Sequence, residues 1–353
     1  MFGRQWFPHS SQEGLSTDAL AFETLLENSR TQSAKLLIAS KIDRGSAYWV
    51  RQSTRLRHLQ FIKKNRLNNQ LKLYFSSFWP TLDIYHNQFI DIFRRCTSNV
   101  IRVVTDPRDC DIALYSCYGN MSDIELTSHA FRVLFLGENV RPSFSEFDLS
   151  LSFDQSSYSG RNIYLPLWLL ELNLFNTTYP DRCPIDIQRI VSPLSRGSQP
   201  RKKRVVYVGN NCEPLRINFI NLLRANNIPV DVFGQHTNPI SDKLDVYSQY
   251  ELALCPENSY YPGYCTEKLI HSFSSGCFSL YWGGTEQLPF HTHPSIIRIA
   301  TGAEIDSINI VKQLLFSKSP SFFSKLMSES ALCNFYNDSL SSLSRKLKIY
   351  DRR

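Results

Sequence analysis

Two cations and one carboxylate stand where a folded chain needs a reason to put them. Lys268 follows Thr266-Glu267 at the start of a run, Thr266 to Ser275, that carries Leu269, Ile270 and Phe273 at helical spacing and stops at Gly276. Thr266 can cap such a helix, and Glu267 suits its positive end. Lys268 does not: a cation in the first turn is disfavoured by about 0.3–1 kcal/mol. It becomes sensible if an anion rests there, since a helix N-terminus with a lysine is a phosphate cradle. The plainer alternative is a solvated lysine on a surface turn. Arg216 repeats the oddity in the first turn of a second helical run, Pro214 to Arg224, beside the stripe Leu215, Phe219, Leu222 and Leu223. Glu138, in Gly137-Glu138-Asn139, follows the buried-strand run Phe131 to Leu136. A carboxylate there faces the crevice where open α/β sheets bind ligands, although a turn glutamate in water would look the same.

The elements that must position these groups alternate. The stretch Tyr250 to Gly284, YELALCPENSYYPGYCTEKLIHSFSSGCFSLYWGG, reads as strand, loop, helix, strand, with Leu252 to Cys255 and Cys277 to Trp282 as the strands. Leu71-Leu73-Phe75, Val100 to Val104, Asp111 to Ser116 and Phe131 to Leu136 are strands of a first half, with a helix at His86 to Cys96. Val205 to Val208, Pro229 to Phe233 and Ile296 to Ile299 are strands of a second, closed by a helix at Ile305 to Phe316. Such alternation predicts doubly wound parallel sheets. The expected division is a helical extension at 1–68, an N-terminal domain and connection at 69–192, a linker at 193–204, a C-terminal domain at 205–318 and a helical tail at 319–353.

The PENS, Tyr264, TEKL and YWGG order resembles the donor-binding motif of the α1,3-fucosyltransferase family. The likeness extends over about residues 71–315: an aromatic pair past the first strand, the G-E-N turn, Phe144 to Asp154, Arg161, Tyr164 to Trp168, and Asn210 with Arg216 in register. It implies an α/β protein of the GT-B fold, two Rossmann-like domains facing a cleft, with a helical N-terminal extension added here. It implies an inverting transfer of L-fucose from GDP-fucose to a glycan hydroxyl, with Glu138 as the general base. Arg216 and Lys268 would then stabilise the leaving GDP, with the helix start at Thr266, and Glu267 would reach the ribose. Asn258 and Tyr264 would line the pocket; Asn210 and Glu257 match the donor motif without a separate role. Gly209 stands where the family usually has serine, Cys255-Pro256 replaces an aromatic, and Cys265 and Phe278-Ser279 also depart from the pattern. These are mostly packing positions, so they bear on acceptor choice and stability more than on the reaction.

Composition fits this and narrows the rest. The 353 residues, with 42% hydrophobic content, 23 Phe and 17 Tyr, suffice for two cores. A net charge of +7, widely spread, suits anionic small substrates or a membrane surface better than nucleic acid. Nine cysteines without a C-x-x-C pair suggest a reducing, cytoplasmic compartment with no disulfide framework or zinc site. No signal-peptide core or membrane span is visible. Asp109-Cys110-Asp111 has a metal-binding form but precedes its strand, away from the crevice, so no metal site is assigned. No cofactor is expected beyond the co-substrate; a divalent ion would at most stimulate. The basic run from Arg55 to Lys72 could lie on a membrane or be a solvated helix face. The tail from Arg345 to Arg353 poses the same choice, and Arg201-Lys202-Lys203-Arg204 reads as a solvated linker edge. Two other functions remain consistent: a GT-B transferase of another nucleotide sugar, or a non-catalytic nucleotide- or glycan-binding relative.

Overall fold

The apolar runs form two separate parallel sheets. The computed structural model describes residues 53–54, 56–61, 63–64, 70–180, 183–210, 214–234, 238–299 and 304–348. The reading of residues 1–52 as helical therefore lies outside the described residues. The chain divides into a first unit, up to Tyr164 and again from Ser339, and a second, Leu165–Asp338.

In the first unit, β1 (Gln70–Ser76), α1 (Gln88–Cys96), β2 (Val100–Val103), β3 (Ile112–Ser116), β4 (Phe131–Leu136), β5 (Leu149–Ser152) and β6 (Asn162–Tyr164) follow in sequence. The sheet order is β2-β1-β3-β4-β5-β6, with every pairing parallel. Strands covered on both faces read as continuous apolar runs, so β3 and β4 were visible in the sequence. The sequence reading passed over β5, LSLS. All four residues are buried, and its serines donate to the Asn162 carboxamide oxygen at 2.6 and 2.8 Å. One asparagine thus satisfies two hydroxyls inside the core.

The described part of the basic run docks on this unit. Phe61 stacks on Phe131 with centroids 5.0 Å apart, and His58 meets the same ring edge-on. Lys64 Nζ lies 2.6 Å from Asp111, and Arg57 Nε 3.6 Å from the buried Asp148. Phe61 is buried and Arg57 and His58 are half-buried against the unit, whereas Leu56, Leu59, Lys63 and Lys64 remain exposed; Lys72 belongs to β1. Asp111 also accepts from the Lys72 N–H at 2.9 Å, which occupies the carboxylate of the D-x-D form.

Burial pushes the Asp148 carboxyl up to about 6, against the pull of Arg57, the Arg132 N–H and Arg161. Its folded value lies above the ordinary 3.8, so the folded state holds this proton more tightly. That stabilisation is complete below the unfolded value and lost as pH rises through the folded one. In urea unfolding the wild type should lose about 2–3 kcal/mol from this group between about pH 4 and pH 6, a loss absent in Asp148→Asn. Parallel stability curves for the two proteins would refute this.

The second unit contains α2 (Leu167–Leu170), α3 (Gln188–Val191), β7 (Leu194–Ser195), β8 (Lys202–Val208), α4 (Pro214–Ala225), β9 (Val230–Phe233) and α5 (Lys243–Ser248). It continues with β10 (Tyr250–Pro256), α6 (Glu267–Ser274), β11 (Phe278–Trp282), β12 (Ile296–Arg298), α7 (Glu304–Phe316), β13 (Phe322–Phe323) and the start of α8 (Glu329–Lys348). The five-stranded sheet runs β12-β11-β10-β8-β9, all parallel, and β7 pairs antiparallel with β13.

The expected linker at 193–204 is instead integral to this unit. Buried Arg196 pairs with buried Glu251 at 2.8 Å and donates to the Gly276 carbonyl at 2.7 Å. Arg201 donates to the carbonyls of Tyr250 and Ser275, and Lys202 to Arg204 lie on β8. Lys202, Lys203 and Arg204 are exposed, as a solvated edge would be, whereas Arg201 is held by carbonyls distant in sequence. The unit boundary falls at Tyr164 rather than at 192, and the tail at 319–353 is shared. From Ser339 on, α8 packs on the first unit: the Ser339 hydroxyl donates to the Tyr164 carbonyl at 2.5 Å and the Cys96 thiol to that of Leu340. Among the described residues no helix is long and apolar enough to cross a membrane.

Candidate functional site

In the second sheet, β8 and β10 are neighbours, yet the chain leaves β8 towards β9 on one side and β10 towards β11 on the other. Such a reversal opens a crevice at the carboxyl ends of the two strands, the usual ligand position in open α/β sheets. All eight residues expected at the donor site lie in the two crossovers that start there. Asn210 and Arg216 follow β8; Glu257, Asn258, Tyr264, Thr266, Glu267 and Lys268 follow β10.

Glu257, the first residue past β10, organises the group. It is wholly buried. Its Oε1 accepts from the Thr266 N–H at 2.9 Å and the Tyr281 hydroxyl at 3.0 Å. Its Oε2 accepts from the Thr266 hydroxyl at 2.7 Å and Lys268 Nζ at 3.0 Å. Four donors on two oxygens satisfy the hydrogen-bonding capacity of this buried carboxyl group. The sequence singled out Glu257 only as a motif match, and Tyr281 not at all. The parallel register Cys255↔Tyr281 brings that hydroxyl beneath the loop.

This arrangement corrects two expectations. Thr266 occupies the N-cap position of α6 but makes no side-chain cap. Its hydroxyl is already committed, donating to Glu257 and accepting from Lys268 Nζ at 2.6 Å. And Lys268 is not misplaced for want of an anion: besides Glu257 it pairs with Glu267 at 3.5 Å. Burial works against its charge, but Glu257 and Glu267 override that and hold its pKa above the ordinary lysine value. Glu267 is likewise disfavoured by burial, yet Lys268, Lys243 and His271 bring its carboxyl well below the usual range. Lys243, 3.5 Å from Glu267, had no signal in the sequence.

Arg216 is buried in the first turn of α4 and donates to the Asn258 carboxamide, so one bond ties the two crossovers together. Lys268, Lys243 and Arg216 set three cations against the carboxylates of Glu257 and Glu267, leaving the group net positive at the uncapped start of α6. Asn210 and Asn258 are exposed. Tyr264, at 1% exposure, supports the loop from below instead of lining an open surface. The loop is stitched to the end of β11, where the Gly263 N–H donates to the Gly284 carbonyl at 2.8 Å. A Cβ on Gly284 would fall 1.8 Å from the Tyr261 carbonyl oxygen, so only glycine allows that approach.

Glu138 belongs to the first unit, half-buried just past β4, and the Val140 N–H donates to its carbonyl at 2.7 Å. Cys117, at the end of β3, sits against the backbone of Gly137 and Glu138; burial pushes its thiol up to about 11. Asn139 bonds Arg141, which reaches Asp154 at 3.0 Å. Burial opposes the charge of Asp154, but the Ser156 N–H, the Tyr158 hydroxyl and Arg141 hold it below the ordinary range. The turn that carries Glu138 is therefore fixed from both sides. Among the described residues no group of three His, Cys, Asp or Glu is placed to hold a metal ion.

Two family models match the chain, one in each half. The model of the alpha-(1,3)-fucosyltransferase FucT N-terminal domain matches residues 73–171. That of the glycosyltransferase family 10 (fucosyltransferase) C-terminal region matches residues 198–307. The chain is 24% identical over 230 residues to the alpha-(1,3)-fucosyltransferase FucT of Helicobacter pylori, which covers 58% of this chain and 48% of that protein. It is 25% identical over 170 residues to the putative fucosyltransferase R654 of Acanthamoeba polyphaga mimivirus, covering 44% of this chain and 26% of that one. The matched region is thus about half the length of the first relative or less. Among solved structures, a crystal structure of alpha1,3-fucosyltransferase aligns with a TM-score of 0.52 at 20% identity over 78% of this chain and 91% of its own. A second, with GDP, gives 0.51 at 20% identity over 81% and 97%. At that identity the likeness establishes the fold, which is GT-B, as expected.

Proposed function

Since the chain belongs to the α1,3-fucosyltransferases of glycosyltransferase family 10, we propose that it transfers L-fucose from GDP-fucose to a hydroxyl of an acceptor glycan, with inversion. The acceptor hydroxyl is taken as the 3-OH of N-acetylglucosamine or glucose. The observation that carries this is the positive cluster of Arg216 and Lys268 at the switch point of the second sheet, beside the uncapped start of α6. A diphosphate suits that place: helix N–H groups and two fixed cations meet its charge. A related structure with GDP supports the choice of nucleotide.

In the reaction the acceptor oxygen forms a bond to the fucose anomeric carbon while the bond from that carbon to the β-phosphate oxygen breaks. The electron pair leaves with GDP, where Arg216, Lys268 and the α6 amides stabilise it more as its charge grows. The acceptor proton passes to Glu138. Glu267 reaches the donor's ribose, and Asn210 and Asn258, both exposed at the crevice, contact the nucleotide sugar. Glu257 and Tyr264, both buried, support those contacts from below.

The test is GDP release and product mass with GDP-fucose, GDP-mannose and UDP-sugars against N-acetyllactosamine-type, glucose-type and N-glycan core acceptors, with and without EDTA. Transfer from GDP-fucose alone is the expected result; preference for another donor, or binding without transfer, overturns it. Loss of turnover with EDTA would show that the cations on the chain do not suffice. Arg216→Ala should weaken GDP binding by roughly tenfold or more in calorimetric titration, the value of a charge-assisted hydrogen bond. An unchanged affinity would remove Arg216 from the donor site.

A further inference from the structure

The chain leaves β1 by a turn held under backbone strain. Ser77 adopts φ 61, the left-handed region that a non-glycine residue enters only when its surroundings impose it. The surroundings are specific. The N–H groups of Tyr118 and Gly119 both donate to the Ser77 carbonyl at 3.0 Å. The Ser77 hydroxyl donates to the Asn120 carbonyl at 2.5 Å. Gly119 makes the approach feasible, since a Cβ there would lie 2.9 Å from Ser77 Cα. The clasp fixes the end of β1 to the end of β3.

What the clasp positions is a pair of rings. Phe78 points into the core, against Phe75, Phe89 and Phe135. Trp79 stands edge-to-face with both Phe78 and Tyr118, centroids 5.4 Å from each at 72° and 84°, and all three rings are half-buried. Tyr118 in turn reaches the G-E-N turn: a Cβ on Gly137 would be 2.8 Å from its hydroxyl, and Glu138 is the next residue. An indole thus stands one ring away from the backbone of the carboxylate read as the base.

We propose that Trp79, braced by Tyr118, is the face on which the acceptor's pyranose ring stacks, so that a hydroxyl on the ring's edge is presented to Glu138. The inference rests on the reading of Glu138 as the base. A pyranose has one C–H-rich apolar face and a rim of hydroxyls. The negative face of an indole suits the first, and a carboxylate the second. The strain at Ser77 sets the indole where a relaxed turn would not.

The test varies N-acetyllactosamine at saturating GDP-fucose for wild type, Trp79→Ala and Trp79→Phe. A separate titration of N-acetyllactosamine without donor follows tryptophan fluorescence. Trp79→Ala should raise the acceptor KM roughly five- to tenfold, with kcat and GDP affinity within about twofold, and Trp79→Phe should recover most of the loss. Ser77→Gly should stay near wild type, because glycine accepts positive φ, whereas Ser77→Val should imitate Trp79→Ala. An unchanged acceptor KM in Trp79→Ala, or a fall in GDP affinity equal to the acceptor effect, overturns the proposal. If the wild type binds N-acetyllactosamine through Trp79 but transfers nothing, the stacking face stands and the catalytic reading fails. If it neither binds nor transfers, both fail.

Discussion

Replacing Glu138 with alanine is expected to lower fucose transfer by roughly 10²–10⁴-fold while leaving GDP affinity within about twofold. A glycan hydroxyl is a weak nucleophile whose proton must leave as the new bond forms, so the loss belongs to kcat and not to donor binding. Glu138 is suited to the task by place: just past β4, half-buried, in a turn held by the Asn139–Arg141–Asp154 chain on one side and Cys117 on the other. Donor binding is assigned to residues of the other unit, which is why the two effects should separate. Glu138→Gln, which keeps the shape but cannot take a proton, should be as slow as the alanine variant. Steady-state rates with calorimetric GDP titration decide the matter. A variant that turns over at the wild-type rate, or that loses GDP binding and rate together, would remove Glu138 from the role of base.

The second large effect is on Glu257. Glu257→Ala should destabilise the second unit by about 3–5 kcal/mol, because it removes one member of a buried ion pair and leaves the other only the more distant Glu267. Lys268 is that other member, and the Thr266 and Tyr281 hydroxyls lose their acceptor at the same time. GDP affinity should fall with it, since Lys268 and the start of α6 are positioned through this carboxylate. Glu257→Gln will not rescue: its amide turns a donor towards groups that are themselves donors. The double variant Glu257→Gln, Lys268→Met should recover part of the stability but not the GDP affinity. Urea unfolding and GDP titration read the two quantities separately. Additive losses in the double variant would mean that the two residues are not energetically coupled. The pair holds across the neutral range: a lysine whose folded pKa is raised keeps its full contribution below its ordinary value and loses it only as pH climbs through the higher one.

Both predictions concern residues found in the sequence, but the reasons differ. Glu138 was singled out because a carboxylate follows a fully apolar run, FRVLFL then GEN; a turn glutamate in water looks the same, so the role of base came from the family resemblance. The strand–loop–helix–strand order around PENS and TEKL was legible for the same reason. Parallel strands covered on both faces must be apolar throughout, and helices alternating with them must show a 3.6-residue period. What Lys268 does was not legible. A cation at a helix start looked like a request for an outside anion, whereas the fold had already brought in Glu257, eleven residues back, and Glu267. The empty cap at Thr266 has the same origin: its hydroxyl met a buried carboxylate before it could meet a backbone N–H.

The sequence by itself determined the class of fold and the order of the elements, since those depend on periodicity and on neighbours a few residues apart. The tertiary structure alone decided which charges are spent inside the protein. Arg196 finds Glu251 across 55 residues, and residues 194–195 pair as a strand with 322–323. It also decided that serines 150 and 152 could be buried because Asn162 is there to accept from them. The physical reason is common to all of these. A polar group's partner is chosen by distance in space and by exclusion of water, and neither is written in the residues beside it.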